Sequence, residues 1–552
     1  GGFAGSATTR DNGGDVTTPT GGYQLSNVYA SGNVTITATS VGGERVGGLI
    51  GYLHTGRSGG TGGVSNLSKV YATGNINVTS GLTYNYVGGL IGYLNSSTLS
   101  TIAIDSSAGQ SYATGNVSVT TGGYIGGGFG YATITTSSTF TLDDFYSNGN
   151  VSGDTKVGGL AGQIYVNAAG GTIALDHIYS HDNSSVTPPP TVTATGAQVG
   201  GLIGLAGASN TSTISLSNCS AISTVTGTNY AGGLIGYDHD SLTITGCTAS
   251  GDVSGVAPYV GGLTGGSDRN GRNYSQVYAS GDVTAAVPTA TAQGYVGGLV
   301  GRISTASSVY KAVATGDIIV DVDSTATLTE AYTGGLIGYM QGTVDQSYAT
   351  GNVSVTNPTL GTQSYVGGLL GRGTALVSNS FATGDVQGGY YVGGLIGYHR
   401  GGVQNSFAAG NINGTLNVGG LIGNYDGSAG SVSKVYSLGS VTRIAGTQTN
   451  RFGPLIGYCN AGVGDTKVQD GYYNLSTSTV DANITSPETN CNSNSTNETR
   501  GIANATMLTP GTGFTGFDFI STNPSDWRFA VTFKKKGVAT VYPYPVLYWL
   551  EN

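Results

Sequence analysis

The chain has 552 residues, 98 of them glycine, with 9% charged side chains and a formal net charge of −9. Glycine at this level accompanies collagen or disorder, yet no strict G-X-Y triplet runs here, and abundant Val, Ile, Thr and Tyr suit a pleated surface. No basic patch suits nucleic acid or anionic lipid and no apolar run nears the ~20 residues of a membrane helix, so neither nucleic-acid binding nor membrane insertion is expected. Five His and four Cys lie scattered, which predicts no metal site and no cofactor. The chain starts at Gly1 rather than Met without a signal-peptide pattern, which reads as a processed or trimmed product.

Two strings alternate from the first residue on. GGFAG at Gly1 is a partial copy of VGGLIGY, which begins again at Val46, Val87, Ile125, Val157, Val199, Ala231, Val260, Val296, Thr333, Val366, Val392 and Val418, with a degenerate copy at Phe452. YATGNV or a variant stands at Tyr29, Tyr71, Tyr112, Tyr146, Tyr278, Tyr348, Phe381, Phe407 and Tyr436, with weaker copies at Tyr179, Cys219, Cys247 and Val313. The shortest spacing is 26 residues, from Val366 to Val392 and again to Val418. That unit holds three short β-like segments, each bounded by Gly or Asn, the residues that tolerate tight turns.

One such unit cannot cover its own edges, whereas stacked units pair strand on strand at ~4.8 Å. The expected fold is therefore all-β, a parallel β-helix (solenoid) of about 13–14 three-strand rungs over residues 1–475 and about 65 Å long. Longer copies carry insertions as loops, Pro188 to Pro190 among them, and a propeller blade needs more than the shortest copy supplies. Residues 476–552 form an irregular loop and a C-terminal capping or docking segment, in which Lys534, Lys535 and Lys536 read as the solvated end of a hairpin.

Stacking aligns like positions. Leu49, Leu90, Leu160, Leu202, Leu234, Leu263, Leu299, Leu336, Leu369, Leu395 and Leu421 predict a core column, and the aromatics from Tyr29 onward a second, pointing in or out. Asn33, Asn75, Asn116, Asn150, Asp252, Asp282, Asp317, Asn352, Asp385 and Asn411, each just after Gly, predict a polar corner ladder; Asp at four of them does not follow the calcium-binding nonapeptide. The Gly pair of VGGLIG marks a bend or close backbone approach. Cys219 and Cys247 both stand where the aromatic of YATG is expected and lie 28 residues apart. Adjacent rungs would place them in disulfide range, so a Cys219–Cys247 bridge is expected, with Cys459 and Cys491 pairing by default; four buried thiols are the alternative. Bridges imply an oxidising, extracytoplasmic setting.

Seventeen N-x-S/T sequons occur, among them Asn33, Asn66, Asn77, Asn95, Asn116, Asn150, Asn183, Asn210, Asn273, Asn352, Asn413, Asn474, Asn483, Asn494, Asn497 and Asn504. These are glycosylation candidates, although many repeat one string and are not independent.

The recurring GGLIG with YATGNV resembles the GLUG-motif repeat family, over roughly residues 1 to 475. The tail is similar to the segment that often closes such arrays, through Met507, Leu508, the Gly516-Phe517-Asp518-Phe519 string, Trp527 and the run ending in Trp549; the lysine run and Pro545 depart from it. The resemblance implies a secreted or surface-attached, adhesin-like β-solenoid with no catalytic residues of its own.

Many β-helices degrade polysaccharides with clustered carboxylates. Here the dense spots are Asp143-Asp144, Asp176-His177 with His181, and Asp238-His239-Asp240, all read as polar turns. No HExxH, GxSxG, CxxC or Walker pattern is present, so no catalytic residue is named and the chain is read as a non-enzyme. Thr-x-Thr pairs such as Thr35 and Thr37 do not recur at one rung position, which argues against an ice-binding face. The expected function is a non-enzymatic extracellular structural or adhesive glycoprotein at the cell surface, a fibre subunit or adhesin stalk. The open rung at Gly1 suggests end-to-end docking. Its partners would be other copies of itself or cell-surface glycan ligands. The alternative is a polysaccharide-binding or polysaccharide-degrading β-helix.

Overall fold

The computed structural model describes residues 4–9, 22–38, 44–56, 62–80, 85–181, 188–209, 212–239, 242–267, 271–288, 293–304, 307–322, 330–356, 363–427, 430–444, 451–460, 468–474 and 500–502, and the backbone of four short strands beyond them. Two compact units divide the chain, Gly1–Val256 with Gly262–Tyr278 and Ala257–Gly261 with Ala279–Asn552.

Each unit is a parallel β-solenoid of three sheets. One coil of the first unit runs through Ile91–Ser96 on the first sheet, Thr101–Asp105 and Ser111–Ala113 on the second, then Val117–Val119 and Tyr124–Gly126 on the third. Phe129–Ile134 opens the next coil in parallel register with the last, Phe129 against Ile91 and Tyr131 against Tyr93. In the second unit the 26-residue copy makes one coil from Ile396–His399, Val403–Ala408, Ile412–Gly414 and Asn417–Gly419. The first sheet has eight strands in the first unit and six in the second, which is the coil number expected. Arg500–Ile502 adds a parallel strand to Val468–Asn474. Farther on, Val531–Lys535 and Val538–Tyr542 form an antiparallel hairpin in which Lys535 pairs with Val538, and Trp527–Arg528 pairs antiparallel with Val546–Leu547.

The core follows from alternation. Every leucine of the expected column is at most 1% exposed, and each such burial contributes about 1.5–3 kcal/mol. The coil at Gly127-Gly128-Phe129 lacks this leucine. A Cβ on Gly128 would come within 3.0 Å of the Phe145 ring, which with Phe129 (centroids 5.4 Å apart) fills the space. The paired glycines are required by contact: a Cβ on Gly88 would overlap the carbonyl of Ile91, and one on Gly89 the carbonyl of Gly127 in the next coil.

The expected corner ladder is a chain of side-chain to backbone bonds. Asn75 N–H donates to Asn33 Oδ1 (2.8 Å), Asn116 N–H to Asn75 Oδ1 (2.9 Å) and Asn150 N–H to Asn116 Oδ1 (2.9 Å). In the second unit the series runs from Asp282 through Asp317, Asn352 and Asp385 to Asn411, at 2.7–3.0 Å. The oxygen that accepts is common to Asn and Asp, which is why the two interchange here.

A second corner was not foreseen. Asn27, Lys69, Asp144, His177, Asn218, Gln276, Lys311, Gln346, Asn379, Asn405, Lys434 and Asp470 have φ of 48–57°, and Gly246 has 64°. Each lies two residues before the aromatic position of its coil, and the left-handed turn makes a bulge in the second sheet. At many coils the residue after the bulge donates its N–H to a side chain of the next coil: Val70 to Ser111 Oγ, Ala312 to Ser347 Oγ, Ser347 to Ser380 Oγ and Ser380 to Ser406 Oγ, all at 3.1–3.2 Å.

This bulge corrects the reading of the cysteines. Tyr179 pairs with Ser220 and Ser220 with Thr248, so Cys219 and Cys247 stand one residue before the aromatic column, on the inward side. They occupy the serine position. Cys219 N–H donates to Cys247 Sγ (3.3 Å), and each thiol donates to the carbonyl two residues back, Ser217 at 3.2 Å and Thr245 at 3.5 Å, as Ser380 does to Ser378. Both are free thiols, so the expected Cys219–Cys247 bridge is not formed. Cys459 is disulfide-bonded, and Cys491 lies outside the described residues.

The aromatic column points outward in the first unit. Tyr29, Tyr71, Tyr112 and Tyr146 stack at 4.6–5.0 Å, with Tyr29 59% exposed. In the second unit Phe381, Phe407 and Tyr436 stack at 4.7–4.8 Å and are fully buried.

Candidate functional site: a tyrosine and arginine stripe

Two positions on the side opposite the core Val and Leu flank the VGGLIGY turn, the residue before its first Val and its final Tyr; Tyr295, Tyr332 and Tyr365 there are buried. The turn folds the third sheet onto the first, so these positions form neighbouring columns. In the first unit the leading column holds Arg45, Tyr86, Tyr124, Lys156, Gln198 and Tyr230, joined by successive strand pairings. The trailing column includes Tyr52, Tyr93 and Tyr131, whose rings stack at 5.1–5.2 Å. Arg45 lies over the Tyr52 ring at 4.1 Å and Lys156 over Tyr124 at 4.5 Å, both cation–π contacts.

The second unit carries the longest run. Tyr259, Tyr295, Tyr332, Tyr365 and Tyr391 stack one per coil at 4.9–5.1 Å, with planes within 18° of parallel. Beside them the trailing column reads Arg302, Tyr339, Arg372 and Tyr398 on four successive coils. Tyr339 and Tyr398 stand edge-on to the stack, at 65–83°. Arg302 lies 5.3 Å from the Tyr295 ring and 6.0 Å from Tyr339, and Arg372 lies 5.6 Å from Tyr339 and 5.2 Å from Tyr398.

Hydrogen bonds fix the rings. Arg302 donates to Tyr259 Oη (3.0 Å) and Arg372 to Tyr332 Oη (3.2 Å). Tyr332 donates to Glu330, which also accepts from Gln293 Nε2 at 2.8 Å. Tyr398 and Arg400 both donate to Asp426 at 3.0 Å. Burial pushes the Tyr295 phenol up to about 12 and raises Tyr332 and Tyr365 as well. The hydroxyls therefore stay protonated near neutrality and act as hydrogen-bonding groups rather than bases.

Two of the acidic spots singled out in the sequence, at Asp143 and at Asp176-His177, meet on adjacent coils. His177 Nδ1 lies 3.4 Å from Asp143 Oδ1 and 3.2 Å from Asp176 Oδ2, all three about half exposed. Asp176 Oδ1 also accepts from Ser217 and Asn218, and these bonds help hold its carboxyl below the usual range against the opposing effect of burial, which acts most strongly on it. Asp238, expected in a polar turn, is instead fully buried in an ion pair with Arg272 of the next coil.

Of the sequons, Asn33, Asn77, Asn116, Asn150, Asn273 and Asn352 are exposed, and Asn66, Asn95 and Asn413 are partly so. Asn474 is fully buried, so the folded chain offers no amide there for a glycan. Asn183, Asn210, Asn483, Asn494, Asn497 and Asn504 lie outside the described residues.

The tyrosine stripe escaped the sequence reading, although its signal is present as a Tyr before VGG or its IGG, AGG or TGG variant at eight copies, from Tyr86 to Tyr391.

Residues 362–387 match the GLUG motif. They make one turn of the second unit, from Gln363–Gly367 through Leu370–Gly373, Val377–Ser378 and Phe381–Ala382 to Val386–Gln387. The chain is also 37% identical over 175 residues to halomucin from Haloquadratum walsbyi (strain DSM 16790 / HBSQ001), a match covering 29% of this chain and 2% of that protein. No solved structure matches.

Proposed function

We propose that this chain is a non-enzymatic structural or adhesive part of an extracellular, cell-surface protein, a solenoid spacer whose outer face meets other copies or glycans. One observation carries the reading: like side chains meet like from coil to coil. The Asn/Asp corner, the serine and cysteine corner and the tyrosine stripe all run along the stack, whereas catalysis needs unlike groups converging on one point. The GLUG motif is a repeat, and the partial relative is named as a mucin, which fits a surface setting. Six exposed sequons fit a sugar-bearing surface.

The reading is tested on intact cells expressing the protein. External protease should shave the chain while cytoplasmic markers survive, and a chain protected until lysis would refute it. Electron microscopy of the concentrated protein addresses the fibre form, in which copies join end to end; dispersed single particles throughout would reject that form. The rival reading, a polysaccharide-degrading β-helix, requires soluble oligosaccharide products from a polysaccharide panel.

A further inference from the structure

We propose that the Tyr and Arg stripe of the second unit binds an extended acidic polysaccharide. This rests on the surface-adhesive reading and names the class of its partner.

Placement of charge comes first. The chain has only 20 Lys and Arg and a net charge of −9, yet Arg302, Arg372, Arg400 and Arg451 all lie along the same turn of the second unit. Asp426 neutralises Arg400 at 3.0 Å, and Glu330 lies 3.9 Å from Arg372. The contacts of Arg302 among the described residues are with tyrosine, and both Arg302 and Arg372 stay partly exposed although their Nε atoms are buried. A partly exposed guanidinium with further N–H donors at its tip gains charge-assisted hydrogen bonds from an incoming anion.

Geometry comes second. Arg302 and Arg372 are two coils apart, about 10 Å at the usual strand spacing. Tyr339 stands between them and Tyr398 follows. Both rings stand edge-on to the stacked tyrosines and stay partly exposed, where they can meet a chain running along the column. A sugar offers C–H faces to an aromatic ring and, when acidic, a carboxylate or sulfate to a guanidinium. Alternating Tyr and Arg answers both at regular intervals. Neighbouring tyrosines already hold the site in place, so little ordering opposes binding.

The test is affinity electrophoresis of the full chain through gels containing polygalacturonate, dextran sulfate or neutral dextran. Retardation by either acidic glycan but not by dextran is expected, the two acidic gels separating carboxylate from sulfate recognition. It should weaken with salt. Arg302→Gln and Arg372→Gln should each weaken binding about tenfold or more, and Tyr339→Ala should also weaken it, at unchanged circular dichroism. Lys69→Gln with Lys311→Gln removes two cations from the other corner and should leave binding unaltered. No retardation in any gel, equal retardation by dextran, or equal loss in the lysine variant would overturn the proposal. Protease shaving of intact cells is independent of these gels, so the surface reading stands or falls separately.

Discussion

Arg272 and Asp238 form an ion pair in the interior of the first unit, both side chains wholly removed from solvent. Asp238 stands in the inward column that holds Ile164 and Ala206 on earlier coils, and Arg272 follows Leu242 in the facing column. Tyr274 beside them is also buried, and burial raises its phenol far above the usual value. Removing one partner leaves a buried charge alone, so Asp238→Ala should destabilise the unit by about 3–5 kcal/mol. The double variant Asp238→Leu with Arg272→Met should recover most of that loss. Hydrogen exchange of the amides around Leu242 would measure both. A loss under about 1 kcal/mol in the single variant would contradict the account.

The cysteine pair behaves as serine would. Cys247→Ala leaves the Cys219 N–H without its acceptor, and the expected cost is about 1–3 kcal/mol. Cys247→Ser keeps the acceptor and should cost less than about 1 kcal/mol. Thiol titration should find both groups unreactive in the folded chain and reactive after unfolding. An intact mass short by four hydrogens, two beyond those lost to the Cys459 disulfide, would instead reveal a bridge.

The Asn/Asp corner is held by an accepting side-chain oxygen on each coil. Asp317→Asn should leave the thermal midpoint unchanged, because Asn352 N–H still finds an acceptor at the 2.8 Å position. Asp317→Ala should cost about 0.5–1.5 kcal/mol. A calcium chelator should shift neither protein, and a shift in the parent chain alone would point to a bound cation.

His399 makes the second unit sensitive to acid. It is fully buried, and burial lowers it to about 4 from 6.5, while contacts with the Gly402 and Gly373 backbone act the other way. Gly373 leaves room for the ring, since a Cβ there would stand 2.7 Å from His399 Nδ1. Above pH 6.5 both folded and unfolded chains hold a neutral imidazole. Between 6.5 and 4 the unfolded chain binds the proton and the folded one does not, so stability is lost as pH falls, by about 3 kcal/mol in full. Chemical denaturation across this window should show the decline, and His399→Phe should flatten it.

The solenoid was legible in the sequence because each coil repeats its own contacts. The VGGLIG string specifies a turn so tight that its glycines touch the next coil, and Leu49 with its successors could only face the core. The Gly-Asn corner was legible too, since its bonds join equivalent residues. The left-handed corner was not. Its residues are Asn, Lys, Asp, His, Gln and Gly, which share a backbone angle rather than a side chain. Missing that bulge shifted the cysteines by one residue and turned a pair of hydrogen-bonding thiols into an expected bridge. The tyrosine column before VGG repeats in the sequence, but its meaning depends on the turn that sets it beside Arg302 and Arg372. The Arg272–Asp238 pair belongs to no motif and joins residues 34 apart. Local strings could foresee what each coil does to its copies. What unlike positions do to one another across the interior, or around a corner, depends on side-chain direction, and one left-handed residue is enough to reverse it.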